Sequence, residues 1–329
     1  MNKRVYINSI AQVSCQQPLS DEWFTSPHIH SESYVRAVEP DTNGLIVPSE
    51  ARRMSKILKR TVCTAITALN NSDVQQPDAI ITGTGTGCME NSEKFLIDMS
   101  RFGENCLKPT LFMQSTHNTI SSLISIILKC HGYNNTYSHK GISFESALLD
   151  AWLQIRSGAI RNALTGSHDE VTPFMALVME RTHPEYRLVS ETSMSAVLTD
   201  RPSARNLCEL TSVKLLYRPV LAVLADRLAE DSGAAIMLGV NGKEANDTPY
   251  LELVEAVGGA PRLLQYKNIF GENFSSPAMA VYAAATILGR GEVPAHLCLG
   301  EQPTTAPESI TIVNHSDATS WSVVRLKKI

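Results

Sequence analysis

The stretch from Pro109 to Glu170 constrains the fold most, because it sets a helix, a short strand, a sharp corner and a second helix in immediate succession. Ser115 or Thr116 can cap the first helix, along which Ile120, Leu123, Ile124, Ile127 and Leu128 recur at three and four residues. Turn chemistry from Gly132 to Asn135 leads into a strand over Thr136–His139. The next helix carries Ala147, Leu148, Ala151, Trp152 and Ile155 on one stripe and stops at Gly158. An apolar run, Ile160–Leu164, follows and ends at Gly166. A strand that turns sharply into a buried helix is where many enzymes hold a nucleophile, because the turn exposes one side chain above a helix N-terminus. Here the corner reads Lys140-Gly141-Ile142-Ser143, with no evident nucleophile.

Strand-like and helix-like segments alternate through the rest of the chain, which predicts an α/β fold. Arg4–Val13 reads as a strand, Asp21–Pro48 as a polar surface loop with His28 and His30, and Glu50–Asn70 as a helix. A buried strand, Ala79–Thr82, runs into a turn with Gly83, Gly85 and Gly87. A GxGxG after a strand is reminiscent of a dinucleotide fingerprint, but the third glycine is out of place, and a tight turn fits the pattern better. Leu207–Leu216 reads as a strand, Val220–Leu228 as a helix and Ala234–Val240 as a buried strand ending in Asn241-Gly242. The two buried strands with their glycine turns stand roughly 155 residues apart, a half-chain repeat. The helix near Gln114 has its expected counterpart at Gly271–Leu288 at about the same offset. These repeats predict an internal duplication, with halves 1–190 and 191–329 in one compact unit. The joints are expected at Arg181–Glu191 or Asp200–Asn206.

With 329 residues the chain can bury a generous core, and 43% hydrophobic with 19% charged residues is ordinary for a globular protein. A net charge of −4 gives no reason to expect nucleic acid or an anionic membrane as partner. No apolar run reaches the roughly 18–20 residues that span a bilayer. The opening MNKRVYINSIAQV is too poor in apolar residues and too strand-like for a signal peptide, so a cytoplasmic protein is expected. Seven cysteines without a CxxC (Cys15, Cys63, Cys88, Cys106, Cys130, Cys208 and Cys298) read as reduced small hydrophobes; neither a metal site nor a cofactor is expected.

The corner, the helix before it and the duplicated halves together resemble the β-ketoacyl synthase branch of the thiolase-like superfamily. Asn118 matches in the helix before the corner, and GYNNTYSHKG (132–141) stands in the place of the family's strand and nucleophile. ALLDAWLQIRSG (147–158) follows, and Gly166-Ser167-His168-Asp169 lies where the family has a GGAE-like run. In the second half KNIFGE (267–272) is similar to the family's KxxxGH, Ala278–Leu288 to the helix after it, and Asn314 to the asparagine of its last glycine-rich strand. The resemblance implies a thiolase-like fold of duplicated α-β-α-β-α layers.

Condensing enzymes of this kind carry a corner cysteine that takes the acyl chain as a thioester, and two histidines that assist malonyl decarboxylation and stabilise the enolate. By resemblance the cysteine's place is taken by Gly141, the KxxxGH histidine's by Glu272 and the HGTGT histidine's by Asn241-Gly242, whereas the lysine is retained as Lys267. The turn that gates the acyl pocket has become HSDATSW (315–321). No catalytic residue is therefore expected. The resemblance implies a chain-length factor of the kind found with aryl polyene and flexirubin-type pathways. Such a subunit pairs with a catalytically complete ketosynthase, meets acyl carrier protein through that complex, and supplies the far wall of the tunnel that holds the growing chain. By family position the wall would come from Phe112, Met113, Gln114, Thr116, His117, Ile120 and Tyr133. An enzyme acting on acyl thioesters with altered chemistry, and a structural homodimer, are the competing expectations.

Plainer readings stand beside these. His117 and His139 also suit satisfied structural histidines, Glu272 a salt-bridge partner of Lys267, and Phe112, Met113 and Cys130 core positions. Ser138 and Ser143 lie near the corner without occupying the cysteine's place. Trp152 belongs to a packed stripe and carries no functional expectation.

Overall fold

The computed structural model describes residues 3–104, 107–229, 234–259, 261–300, 303 and 305–329; Cys106 lies outside them. The first half comprises β1 (Tyr6–Val13), α1 (Pro48–Ala51), α2 (Lys56–Asn70), β2 (Ala79–Gly83), α3 (Met89–Phe102), α4 (Pro109–Met113), α5 (Thr119–Leu128), β3 (Tyr133–Tyr137), α6 (Ser143–Ser157), β4 (Asn162–Asp169), α7 (Pro173–Thr182) and β5 (Thr192–Thr199). The second comprises β6 (Cys208–Tyr217), α8 (Leu221–Ala229), β7 (Ala234–Leu238), α9 (Glu244–Val257), β8 (Arg262–Gln265), α10 (Lys267–Phe270), α11 (Ser276–Arg290), β9 (Ser309–His315) and β10 (Ser320–Lys327).

The strands form one sheet in the order β3-β2-β4-β5-β1-β6-β10-β9-β7-β8. Substituting β6 to β10 for β1 to β5 reproduces the first half in mirror order, so each half carries the same five-stranded topology. The halves meet at a short antiparallel ladder, Tyr6↔Glu209 and Ile7↔Cys208. β5 pairs with β1 and β4, so a division at 190/191 would cut it from both partners; the repeated order turns over between β5 and β6 instead.

Three apolar clusters define the layers. α2 and α5 cover one face of the first half-sheet through Ile57, Leu58, Ile120 and Ile124 against Ile80, Leu164 and Val197. α8 and α9 cover the outer face of the second through Leu224, Tyr250 and Leu253 against Ile236, Leu238 and Val313. Between the half-sheets lie α6 and α11, which touch one another and share one core with Ile81, Ala163, Met194, Met237, Leu264 and Ile310. The result is a five-layered α-β-α-β-α arrangement. α11 suits the middle layer because its alanine-rich sequence lets two sheets approach; every residue from Ser276 to Leu288 is buried.

Several sequence expectations are corrected. α11 lies between β8 and β9 as α6 lies between β3 and β4, so its counterpart is α6; the helix near Gln114 corresponds to α9. The helix expected over 50–70 breaks at Arg52–Ser55 into α1 and α2. Neither Ser115 nor Thr116 caps α5, whose N-cap is Asn118; Ser115 instead closes α4 by donating to the Phe112 carbonyl at 2.7 Å. β3 starts at Tyr133, because parallel pairing with Ala79 overrides the local turn propensity of Gly132–Asn135. Asp21–Pro48 is not simply a surface loop: Trp23 is buried in the middle layer, edge-on to Phe270 at 5.2 Å.

The glycine turn after β2 is a packing device. A Cβ at Gly83 would lie 2.6 Å from the Ser143 backbone, and one at Gly85 2.7 Å from Phe274 Cγ. The backbone N–H groups of Gly85 and Thr86 donate to Asp169 at 2.9 Å, as do the hydroxyls of Thr84, Thr86 and Ser275 at 2.7, 2.9 and 2.7 Å. Asp169, fully buried at the end of β4, therefore ties the β2 turn to the start of α11. Asp169→Ala strands these donors and is expected to lower stability by about 3–5 kcal/mol, read as a reduced denaturation midpoint.

Candidate functional site

After β3 the chain makes a short 3-10 turn, Lys140–Ile142, directly into α6, with Lys140 in the left-handed region at φ 51°. The corner hydroxyls are committed locally. Ser143 Oγ accepts from the His139 N–H at 2.8 Å and donates to the Lys140 carbonyl at 2.7 Å. Ser146 Oγ donates to the Ile142 carbonyl at 2.8 Å and lies 3.2 Å from His139 Nδ1. His139 and Ser143 thus shape the turn.

Gly141 borders a cavity of about 250 Å³ that also takes in Tyr266, Lys267, Glu272, Asn314 and His315. Lys267 Nζ lies 3.1 Å from Glu272 Oε2 and donates to Asn246 Oδ1 at 3.2 Å. Glu272 Oε1 accepts from Asn241 Nδ2 at 2.7 Å and from the Arg187 N–H at 2.9 Å. Asn241 Nδ2 also donates to the Glu185 carbonyl at 2.8 Å. Glu272 is 1% exposed. Of the positions read from the sequence as replaced or retained, Gly141, Lys267 and Glu272 border this cavity, and Asn241 joins them through its hydrogen bond to Glu272. Lys267 and Glu272 neutralise each other, and every polar atom of that pair has a partner.

Burial sets the other ionisable groups here. His315 is held down at about 4, chiefly by desolvation, so its ring is neutral near neutral pH. Its Nε2–H donates to the Asn246 carbonyl (2.9 Å), and the ring packs on Tyr250 and Trp321 at 4.4 and 5.1 Å. Tyr266 donates to Asn314 Oδ1 at 2.9 Å. Glu145, one turn along α6 from Gly141, is pushed up to about 7 by burial; Ser322 donates to its Oε1 at 2.7 Å and Oε2 has no partner.

The seven positions expected to line a tunnel do not gather at this chamber. Phe112 (59% exposed) and Met113 (71%) stand on the surface of α4, with Phe112 against Phe95. Gln114 bridges α4 to the α1–α2 break, donating to the Arg53 carbonyl at 3.3 Å. Thr116 and His117 are exposed in the connection to α5, where His117 lies over Gly87. Tyr133 is exposed on the edge strand β3 and shares Asp150 with Tyr137, both hydroxyls at 3.1 Å. Ile120 is the exception, fully inside the core between α2, α5 and the sheet. Sequence reasoning missed Asn246, Tyr266 and Ser316; only Ser316 had a pointer, the altered turn after Asn314. Cys130 and Trp152 are core, as their plainer readings had them.

Among the described residues no group of three or more His, Cys, Asp or Glu side chains is placed to hold a metal ion. Nor is any described helix long and apolar enough to cross a membrane.

A layered, duplicated α/β fold with a corner opening into α6 defines the thiolase-like class. The profile of the β-ketoacyl synthase N-terminal domain matches residues 23–205, and the chain belongs to the β-ketoacyl synthase family. No curated protein sequence is significantly similar to it. Solved structures share the fold at low identity. A type II polyketide synthase ketosynthase, AntDE, bound to the hexaketide and in complex with its acyl-carrier protein AntF, is 13% identical with TM-score 0.81, each chain covered over 100% of its length. The ishigamide ketosynthase/chain length factor is 17% identical with TM-score 0.80, again 100% of both. The Xenorhabdus doucetiae complex of the ketosynthase ApeO with its chain length factor ApeC is 12% identical with TM-score 0.78, covering 99% of this chain and 98% of that one.

The buried carboxyl of Glu145 makes stability depend on pH. Its folded value, about 7, lies above the ordinary 4.5, so its stabilising contribution is full below about 4.5 and is lost as pH rises through 7. Glu145→Gln is expected to be more stable than wild type by roughly 1–3 kcal/mol near pH 8, the gain fading towards pH 5, in paired thermal melts.

Proposed function

We propose that this chain is the non-catalytic, chain-length-factor-type subunit of a heterodimeric ketosynthase, acting in polyene, polyketide or fatty-acid-type chain elongation. The observation that carries the reading is the composition of the chamber at the corner. Taking the acyl chain covalently needs a thiolate, giving a thioester, or an activated hydroxyl, giving an ester, at the start of α6, and Gly141 has no side chain there. Enolate stabilisation needs hydrogen-bond donors aimed at developing negative charge; Glu272 brings a carboxylate whose two oxygens are already filled by Lys267, Asn241 and Arg187. Lys267 is retained, but its charge is spent on that carboxylate.

The ketosynthase and chain length factor complexes with the same fold support pairing with a complete ketosynthase as the role. Acyl carrier protein would meet this chain through that complex, in the cytoplasm. The halves act as one unit, since α6 and α11 share a single core. Phe112, Met113, Thr116, His117 and Tyr133, exposed in the isolated chain, would be covered by the partner and give the tunnel its far wall, with Gln114 holding α4 in place. A wall needs only apolar volume and shape; tunnel depth limits how many two-carbon units fit. Ile120 supports this wall from the core without lining it.

Co-expression with a complete ketosynthase is expected to give a mixed dimer whose longest product grows by about one or two two-carbon units on Phe112→Ala or Met113→Ala. Turnover of malonyl-loaded carrier protein by the isolated chain would overturn the reading in favour of an acyl-thioester enzyme.

A further inference from the structure

The seat above Gly141 is occupied as well as lacking a side chain. A Cβ built at Gly141 would stand 2.9 Å from Ser316 Cβ and closer still to its Oγ, a separation real Cβ atoms do not adopt. Gly141 has no left-handed backbone angle, so its glycine is dictated by this contact and not by its conformation.

Ser316 belongs to the turn between β9 and β10, and that turn is pinned from several sides. The Asp317 carboxylate accepts from the N–H groups of Thr319 and Ser320 at 3.1 and 3.0 Å and from the Thr319 hydroxyl at 2.6 Å. Trp321 Nε1 donates to the Ala318 carbonyl at 2.9 Å, and the Ser316 N–H to the Ser320 carbonyl at 2.9 Å. The Arg218 N–H reaches the Thr319 carbonyl at 2.7 Å, tying the turn to the end of β6. At its root the His315 N–H donates to the Tyr250 hydroxyl at 3.0 Å, anchoring the turn to α9. Moving Ser316 aside means breaking contacts to β6, α9 and the turn itself, so this is a fixed element and not a flexible lid.

We propose that the β9–β10 turn is a built-in plug: Ser316 fills the seat above Gly141 and bars an acyl chain from this subunit's own chamber. The chain is then inactive twice over, by chemistry and by shape, and an incoming acyl group has only the partner's site to enter. The inference rests on reading Gly141 as the nucleophile's seat. It does not depend on the partner.

The test compares Gly141→Cys with Gly141→Cys/Ser316→Gly, scoring iodoacetamide adducts by mass on the tryptic peptide that begins at position 141. The double variant is expected to be alkylated there at least about tenfold faster, since thiol reactivity follows access. Failure of the single variant to fold while the double variant folds also supports the plug. Equal rates overturn it. Where neither cysteine variant is recovered, a melting cycle decides. Gly141→Ala is expected to lower the melting temperature, and Ser316→Gly in the same chain to restore at least half of the loss; no restoration overturns the proposal. Neither measurement involves a partner ketosynthase, so a missing mixed dimer would leave the plug standing, and a failed plug would leave the pairing untouched.

Discussion

Glu272 governs the interior of this protein. A carboxylate and an ammonium buried together lose several kcal/mol of hydration each, and their attraction offsets that loss only if the remaining hydrogen-bonding positions are filled. Here they are filled from separate parts of the chain: Arg187 before β5, Asn241 after β7, and Lys267 at the start of α10. The ion pair therefore fastens the segments before β5 and after β7 to α10. The same contacts that make the pair tolerable to bury occupy it: Oε1 accepts two donors and Oε2 the Lys267 ammonium.

A second carboxylate performs a corresponding task at the end of β4. Asp169 gathers the N–H and hydroxyl groups of the β2 turn and reaches Ser275 just before α11. The turn's N–H groups point inwards at this side chain, which accounts for a GxGxG without a nucleotide. With Glu272 and Asp169 holding the loops, α6 and α11 are pressed together between the half-sheets, and the corner at Gly141 is brought against Ser316 of the other half. The arrangement has the scaffold of the β-ketoacyl synthase family, with Gly141 at the corner and the retained Lys267 paired to Glu272.

Much of the architecture was legible in the sequence. The recurrence of a buried strand with a glycine turn half a chain later exposes the duplication, and the stripe on α6 reveals one buried face; its place between two layers shows only in the structure. What was misread has identifiable causes. α3 and α4 escaped because Leu96, Ile97, Phe102, Phe112 and Met113 are apolar yet exposed, so they give no clean buried stripe. The pairing of α11 with α5 failed because repeat offsets differ between elements as loops lengthen. Of the site, Gly141, Asn241, Lys267 and Glu272 could be found by position. Asn246 and Tyr266 could not, since they join the chamber through contacts between distant segments, and Ser316 was marked only by the altered turn that contains it. The plainer reading of Phe112 and Met113 as core was wrong, for both are exposed on α4.

The central claim is that acyl groups pass this chain by. Intact-mass spectrometry of the purified mixed complex, after incubation with an acyl-loaded carrier protein, measures it most directly. The account predicts the acyl mass on the ketosynthase partner alone, with this chain's mass unchanged. An acyl adduct on this chain would contradict it.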